Sequence, residues 1–212
     1  MSAFDERREQ DVQKLKDLQS QSGERVRITG TSGRPLSDID VELHFKTAPS
    51  KQYPKVVQGV TRIRICLPSR YPFVEPTVNI KTPILHPNVY DSGRVCLGVK
   101  WLPSFGLDLL VKKIIQIVTF DPTILNEASP ANGAALAWYR TARHAHPGAF
   151  PTDVLTLQTP EPANKINWQN VEAKKLKVVI SCPQCQKKLS VPTGKKGRVR
   201  CPNCSELFEA AT

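Results

Sequence analysis

The 212-residue chain carries 30 Lys and Arg against 19 Asp and Glu, a formal net charge of +11, and 40% of its residues are apolar. That is enough for one domain of ordinary size plus a small appendage, and too apolar for a chain disordered throughout. The charged start Met1-Ser2-Ala3-Phe4-Asp5-Glu6-Arg7-Arg8 lacks the apolar run of a secretory signal, and no stretch approaches the ~20 apolar residues that cross a bilayer, so a cytoplasmic protein with reduced thiols and no membrane partner is expected.

Val12, Leu15 and Leu18 recur at helical spacing among polar residues, which predicts an amphipathic helix ending near Gly23. A strand is expected over residues 24–29, then a turn at Thr31-Ser32-Gly33-Arg34-Pro35. Val41, Leu43 and Phe45 alternate with polar neighbours, as do Ile63, Ile65 and Leu67, then Val78 and Ile80. This period of two marks half-buried strands, and short turns between them imply an antiparallel meander of about four strands. Residues 107–120 read as a buried helix and 131–143 as another, after which His146-Pro147-Gly148-Ala149-Phe150-Pro151 supplies breakers. Together these elements predict an α+β domain over residues 1–150.

Residues 151–175, with Pro160, Pro162 and little periodicity, read as a linker, and residues 176–212 as a second, small module. In it Cys182-Pro183-Gln184-Cys185 and Cys201-Pro202-Asn203-Cys204 are two paired knuckles, a strong zinc-ribbon signal. Four thiolates complete a closed tetrahedral site with no position for a catalytic water, so a structural Zn²⁺ is expected on Cys182, Cys185, Cys201 and Cys204. Nine Lys and Arg and no acidic residue lie between Lys174 and Arg200. Such a run is most often a solvated face, and binding of nucleic acid through it is the less favoured reading.

The chemistry concentrates at His86-Pro87-Asn88, followed eight residues later by Cys96. A thiol held beside a neutral amide donor can take an acyl group and stabilise the oxyanion formed on the way. Around it stand Tyr71-Pro72-Phe73-Val74-Glu75-Pro76, Trp101-Leu102-Pro103-Ser104 and Ser129-Pro130-Ala131-Asn132. In that order these segments resemble the ubiquitin-conjugating enzymes, over roughly residues 3–143. The ribbon is similar to small zinc ribbons common in prokaryotic proteins, which hints at a bacterial or archaeal source.

The resemblance implies the ubiquitin-conjugating fold and an acyl transferase that takes a ubiquitin-like modifier from an activating-type enzyme as a Cys96 thioester. The modifier would pass on to a protein acceptor, typically a lysine amine. Asn88 is the expected oxyanion donor, directly or by bracing the loop. His86 is expected to fix the loop rather than act as a base. Ser129 matches the gate residue that orients and partly desolvates the amine. The segment 121–128 is longer than the family pattern, Trp101 follows Cys96 closely, and the breakers after residue 145 replace a further helix that the family often has. Cys66 is explained by its strand alone. A non-catalytic relative that only binds ubiquitin-like partners would lack Cys96, and a nucleic-acid-binding protein would work through the ribbon with residues 1–150 as scaffold.

Overall fold

The computed structural model describes residues 3–98, 100–158, 177–194 and 196–211. The chain divides near Pro160 into two compact units. Most of the predicted linker, residues 159–175, lies outside the described residues.

The first unit begins with α1 (Ala3–Gln21), whose Leu15 and Leu18 are buried. The helix ends where Gly23 takes a φ of +62°, a left-handed turn that glycine adopts at little cost. β1 (Val26–Ser32), β2 (Asp38–Leu43), β3 (Thr61–Cys66) and β4 (Thr77–Ile80) follow as a four-stranded antiparallel meander in sequence order. The alternation read from sequence decides its faces. Ile39, Val41, Leu43, Ile63, Ile65, Val78 and Ile80 point into the core, while Asp40 opposes Arg64 and Glu42 opposes Arg62 on the open face. Both opposed pairs are ion-paired, at 2.7 and 2.9 Å.

α2 (Leu107–Val118) covers the inner face of the sheet and is buried on most sides through Leu107, Leu110, Val111, Ile114, Ile115, Ile117 and Val118. The helix stops short of the predicted end because Phe120 takes a φ of +58°. Its ring then turns into a second cluster with Tyr53, Leu136, Tyr139 and Phe150. α3 (Gly133–Ala145) starts after Asn132, whose side-chain oxygen accepts from the Ala135 N–H at 2.9 Å, an N-cap.

No helix follows between residues 146 and 158. Instead an extended strap is pinned to the unit. The Thr152 N–H donates to the Thr119 carbonyl, Asp153 accepts from Arg25 and from the Lys46 N–H, and the Gln158 N–H donates to the Gln21 carbonyl. Residues 151–158 thus carry specific contacts to this unit. The strap closes the second cluster with Phe150.

The second unit is two hairpins, β5 (Lys177–Ser181) with β6 (Lys188–Pro192) and β7 (Lys196–Arg200) with β8 (Leu207–Ala211). Each of its two cysteine knuckles forms the turn of one hairpin. No helix among the described residues is long and apolar enough to cross a membrane.

Candidate active site and candidate metal centre

Cys96 stands at the end of a short hairpin that residues 89–95 lay along the outer edge of β4. Val89 faces Val95, and the Tyr90 N–H donates to the Arg94 carbonyl at 2.9 Å. The Ile80 N–H donates to the Gly93 carbonyl at 2.8 Å and the Val95 N–H to the Val78 carbonyl at 2.9 Å. Gly93 is needed there twice over: its φ is +83°, and a Cβ would stand 2.4 Å from the Ile80 carbonyl oxygen. The Cys96 N–H donates to the Asn88 carbonyl at 2.8 Å, which closes the His-Pro-Asn turn against the thiol-bearing residue. Cys96 itself is half-buried.

His86 is fully buried and packs on the Phe120 ring, centroids 4.3 Å apart. Its Nδ1 accepts from the Asn88 N–H at 2.9 Å, and its Nε2 has no partner among the described residues. An acceptor Nδ1 puts the single proton of a neutral ring on Nε2. Burial disfavours the imidazolium and brings the His86 pKa down to about 3. The ring is sealed from solvent, and its bond to the Asn88 N–H holds the turn.

This has a measurable consequence. An exposed imidazole titrates near 6.5. Below that value the unfolded chain binds a proton that the folded chain refuses down to about pH 3. Stability is therefore retained above pH 6.5 and falls as pH drops, by about 2 kcal/mol at pH 5 from this group alone. Denaturant melts of the intact chain and of His86→Gln should differ in slope by about one proton between pH 6 and pH 4; parallel pH profiles would show that the ring titrates normally.

Asn88 is buried, and both ends of its side-chain amide reach the segment before α3. Its Nδ2 donates to the Ile124 carbonyl at 3.1 Å and its Oδ1 accepts from the Asn126 N–H at 3.2 Å. The Asn126 Oδ1 in turn accepts from the Ser129 N–H at 3.0 Å. Asn132 closes the arrangement. Its N–H donates to the Pro87 carbonyl at 3.0 Å, and its Nδ2 to the Asp91 carboxylate at 2.8 Å. Two asparagines, 126 and 132, thus tie the segment 121–132 to the turn that carries Asn88. Neither was singled out from sequence as a site residue. Asn132 was legible as a cap before a Gly-Ala-Ala-Leu-Ala run, whereas Asn126 has no local signal. Ser129 is exposed at the surface of this segment.

The Trp-Leu-Pro-Ser segment meets the Tyr-Pro-Phe segment directly. The Trp101 indole N–H donates to the Pro72 carbonyl at 2.6 Å, and the ring packs against Tyr71 and Phe105. The Tyr71 hydroxyl donates to the buried Asp11 carboxylate, which also receives Arg7. Phe73 and Phe4 stand exposed beside each other on this side, centroids 6.0 Å apart.

An open groove of about 700 Å³ in the first unit borders Cys96. Its wall includes Glu75, Tyr90, Ser92, Arg94 and Lys100, and none of residues 121–132.

In the second unit the four sulfurs of Cys182, Cys185, Cys201 and Cys204 all lie within 4.8 Å of one another. Cys182–Cys204 and Cys185–Cys201 are separated by 3.7 and 3.6 Å. Four thiolates at about 2.3 Å from a tetrahedral ion stand roughly 3.8 Å apart, so the set fits a closed metal site. The two knuckles are built alike. The Cys182 N–H donates to the Lys187 carbonyl and the Gln186 N–H to the Cys182 carbonyl, and Cys201 repeats this with Glu206 and Ser205. Gln186 and Ser205 both take φ near +60° to turn the chain. The Asn203 side chain and the Lys187 N–H draw the Cys185 thiol down to about 6, so one thiolate forms readily, while the crowding of further thiolates calls for a cation.

A family model described as ubiquitin-conjugating enzyme matches residues 13–150. Among curated proteins, "Ubiquitin-conjugating enzyme E2 T" of Homo sapiens is 36% identical over 73 residues, covering 34% of this chain and 37% of the relative. "Ubiquitin-conjugating enzyme E2 5" of Arabidopsis thaliana is 42% identical over 86 residues, 37% of this chain and 43% of the relative. The chain thus spans about two-fifths of the length of the curated relatives it matches. Among solved structures, human ubiquitin-conjugating enzyme E2 G1 aligns with a TM-score of 0.42 and 23% identity, over 53% of this chain and 93% of that one. The match to the family model runs through well over half of the chain, from α1 past α3, and takes in the whole His86–Cys96 site: the chain belongs to the ubiquitin-conjugating enzyme family.

Proposed function

We propose that the first unit accepts a ubiquitin-like modifier from an activating enzyme as a thioester on Cys96 and passes it to an amine, typically a lysine of a protein acceptor. The observation that carries this reading is the Cys96 backbone bonded to Asn88 in a turn fixed by His86. In loading, the Cys96 thiolate attacks the modifier's activated carbonyl carbon; the new C–S bond replaces the bond to the activating enzyme's own sulfur, which leaves as thiolate. In transfer, the neutral acceptor amine attacks the same carbon, the C–N bond forms, the C–S bond breaks, and the amine's surplus proton leaves to water. The oxyanion formed between these steps needs a donor. One hydrogen of the Asn88 Nδ2 is held by Ile124, and the second is the proposed donor to it. Ser129, hung from Asn88 through Asn126, is the proposed gate that orients the amine. The metal of the second unit is proposed to be zinc, given four thiolates and no water ligand.

The direct test mixes the chain with ubiquitin, its activating enzyme and ATP. An adduct that reducing agent removes is expected. Its absence, when a known conjugating enzyme is charged in the same mixture, would reject ubiquitin as the modifier, and repetition with other ubiquitin-like modifiers tests the reading itself.

The two roles open to Asn88 separate by mutation. Asn88→Ala should slow discharge to free lysine on the order of 10²-fold, the loss of one oxyanion donor, with much less effect on loading. Asn126→Ala cuts the onward link to Ser129 and leaves the amide donor in place. A similar slowing in both variants would assign Asn88 to bracing, and slowing in Asn88→Ala alone to the oxyanion.

A further inference from the structure

The groove beside Cys96 has a charge pattern that the acyl transfer alone does not require. Burial alternates from Arg94 to Leu97 as exposed, buried, half-buried, buried. Arg94 and Cys96 therefore face the same side of an extended segment, about 6.6 Å apart along the backbone. Lys100 borders the same groove from beyond the thiol. Elsewhere on the first unit Arg25, Arg62, Arg64 and Arg140 each meet a carboxylate. The side chains of Arg94 and Lys100 have no hydrogen-bond or ion-pair partner among the described residues, and Glu75, the one carboxylate of the wall, pairs with neither. Two unpaired cations thus line the same groove as the reacting sulfur, Arg94 on the hairpin that β4 fixes and Lys100 from outside it. The exposed ring of Tyr90 adds an apolar wall for the aliphatic stem of a side chain.

We propose that this groove seats the acceptor, and that Arg94 and Lys100 select a lysine whose own chain carries carboxylates within a few residues of it. The proposal rests on the thioester reading of Cys96 and names the class of acceptor for it. Carboxylates held by the two cations bring the lysine stem over Tyr90 and its amine to the thioester. A basic acceptor segment is repelled at the same place, so the cations discriminate in both directions.

The test preloads the intact chain with ubiquitin and follows single-turnover discharge to short capped peptides, each with one lysine flanked by Glu, by Gln or by Arg. The Glu peptide should react roughly tenfold faster than the Gln peptide at low salt, the size expected of two exposed ion pairs. The ratio should fall toward one near ~1 M salt, where the Debye length is about 3 Å. It should also fall to about one in Arg94→Gln/Lys100→Gln and reverse in favour of the Arg peptide in Arg94→Glu/Lys100→Glu. Both residues are exposed, so these variants keep the fold. A ratio near one in the unmodified chain, or one that survives the double charge reversal, would overturn the proposal. Loss of loading in step with loss of the ratio would assign the cations to the modifier's tail and equally overturn it. Failure of Cys96 to load would count against the thioester reading instead. The groove is then read by titrating the same peptides onto the uncharged chain: amide shifts at residues 92–100 with the Glu peptide alone support it, and none refutes it.

Discussion

Cys96→Ala is expected to abolish the covalent adduct with the modifier, and Cys96→Ser to leave at most an oxyester that reducing agent does not cleave. The loss should be complete rather than graded, because no neighbouring group can replace the sulfur. Hydroxyl nucleophiles are weak without an adjacent base, and the imidazole nearest in sequence, His86, is buried and held neutral. The other thiols are poor substitutes. Burial, with Asp38 beside it, pushes the Cys66 thiol above its ordinary value, and the remaining four cysteines face one another in the second unit. Cys66→Ala should therefore load as the unmodified chain does. The measurement is non-reducing electrophoresis with intact-mass analysis. An adduct of unchanged yield on Cys96→Ala would reject the assignment.

How far the sequence foretold this depends on the range of the interactions involved. β2 and β3 were legible because every second residue faces the core, and a slip of one would expose Ile39, Val41, Ile63 and Ile65. β1 runs on to Ser32, past the predicted end, because it is held by pairing with β2, through a register shift between Ile28 and Gly30, rather than by an apolar face of its own. His86, Asn88 and Cys96 were legible because one short turn and one hairpin bring them together, so spacing in the chain is nearly spacing in the fold. Asn126 and the pair Arg94 and Lys100 were not. The role of Asn126 depends on the segment before α3 folding back onto the His-Pro-Asn turn. Arg94 reaches the groove because β4 fixes the hairpin of residues 89–95, and Lys100 lines the same groove from outside that hairpin. The strap shows the same limit. Breakers after residue 145 correctly excluded a helix, but Arg25–Asp153 and the other long-range contacts that pin residues 151–158 leave no mark in local composition.

Removal of the metal should unfold the second unit and leave the first intact. Among its described residues only Cys182 and Cys201 are fully buried; Ile180, Leu189, Val191, Val199 and Phe208 are half-buried at best. Two hairpins of two strands each are marginal in water, and this apolar area is too small to offset chain entropy. A structural zinc contributes about 10–16 kcal/mol at neutral pH, far more than the hairpins can supply. Metal analysis should find about one zinc per chain, lost in Cys182→Ser and in Cys201→Ser. On addition of a strong chelator, amide signals of β5 to β8 should collapse to random-coil positions, while those of the first unit stay in place. The first unit has its own core in Leu15, Ile39, Ile63, Leu107 and Ile114 and shares no ligand with the site. A chain ending after Gln158 keeps the whole strap, and should fold and load Cys96 as the full chain does. Hairpins that keep their amide dispersion in excess chelator would show that the four thiols need no metal to hold them. A truncated chain that folds but cannot be loaded would show that the second unit takes part in receiving the modifier.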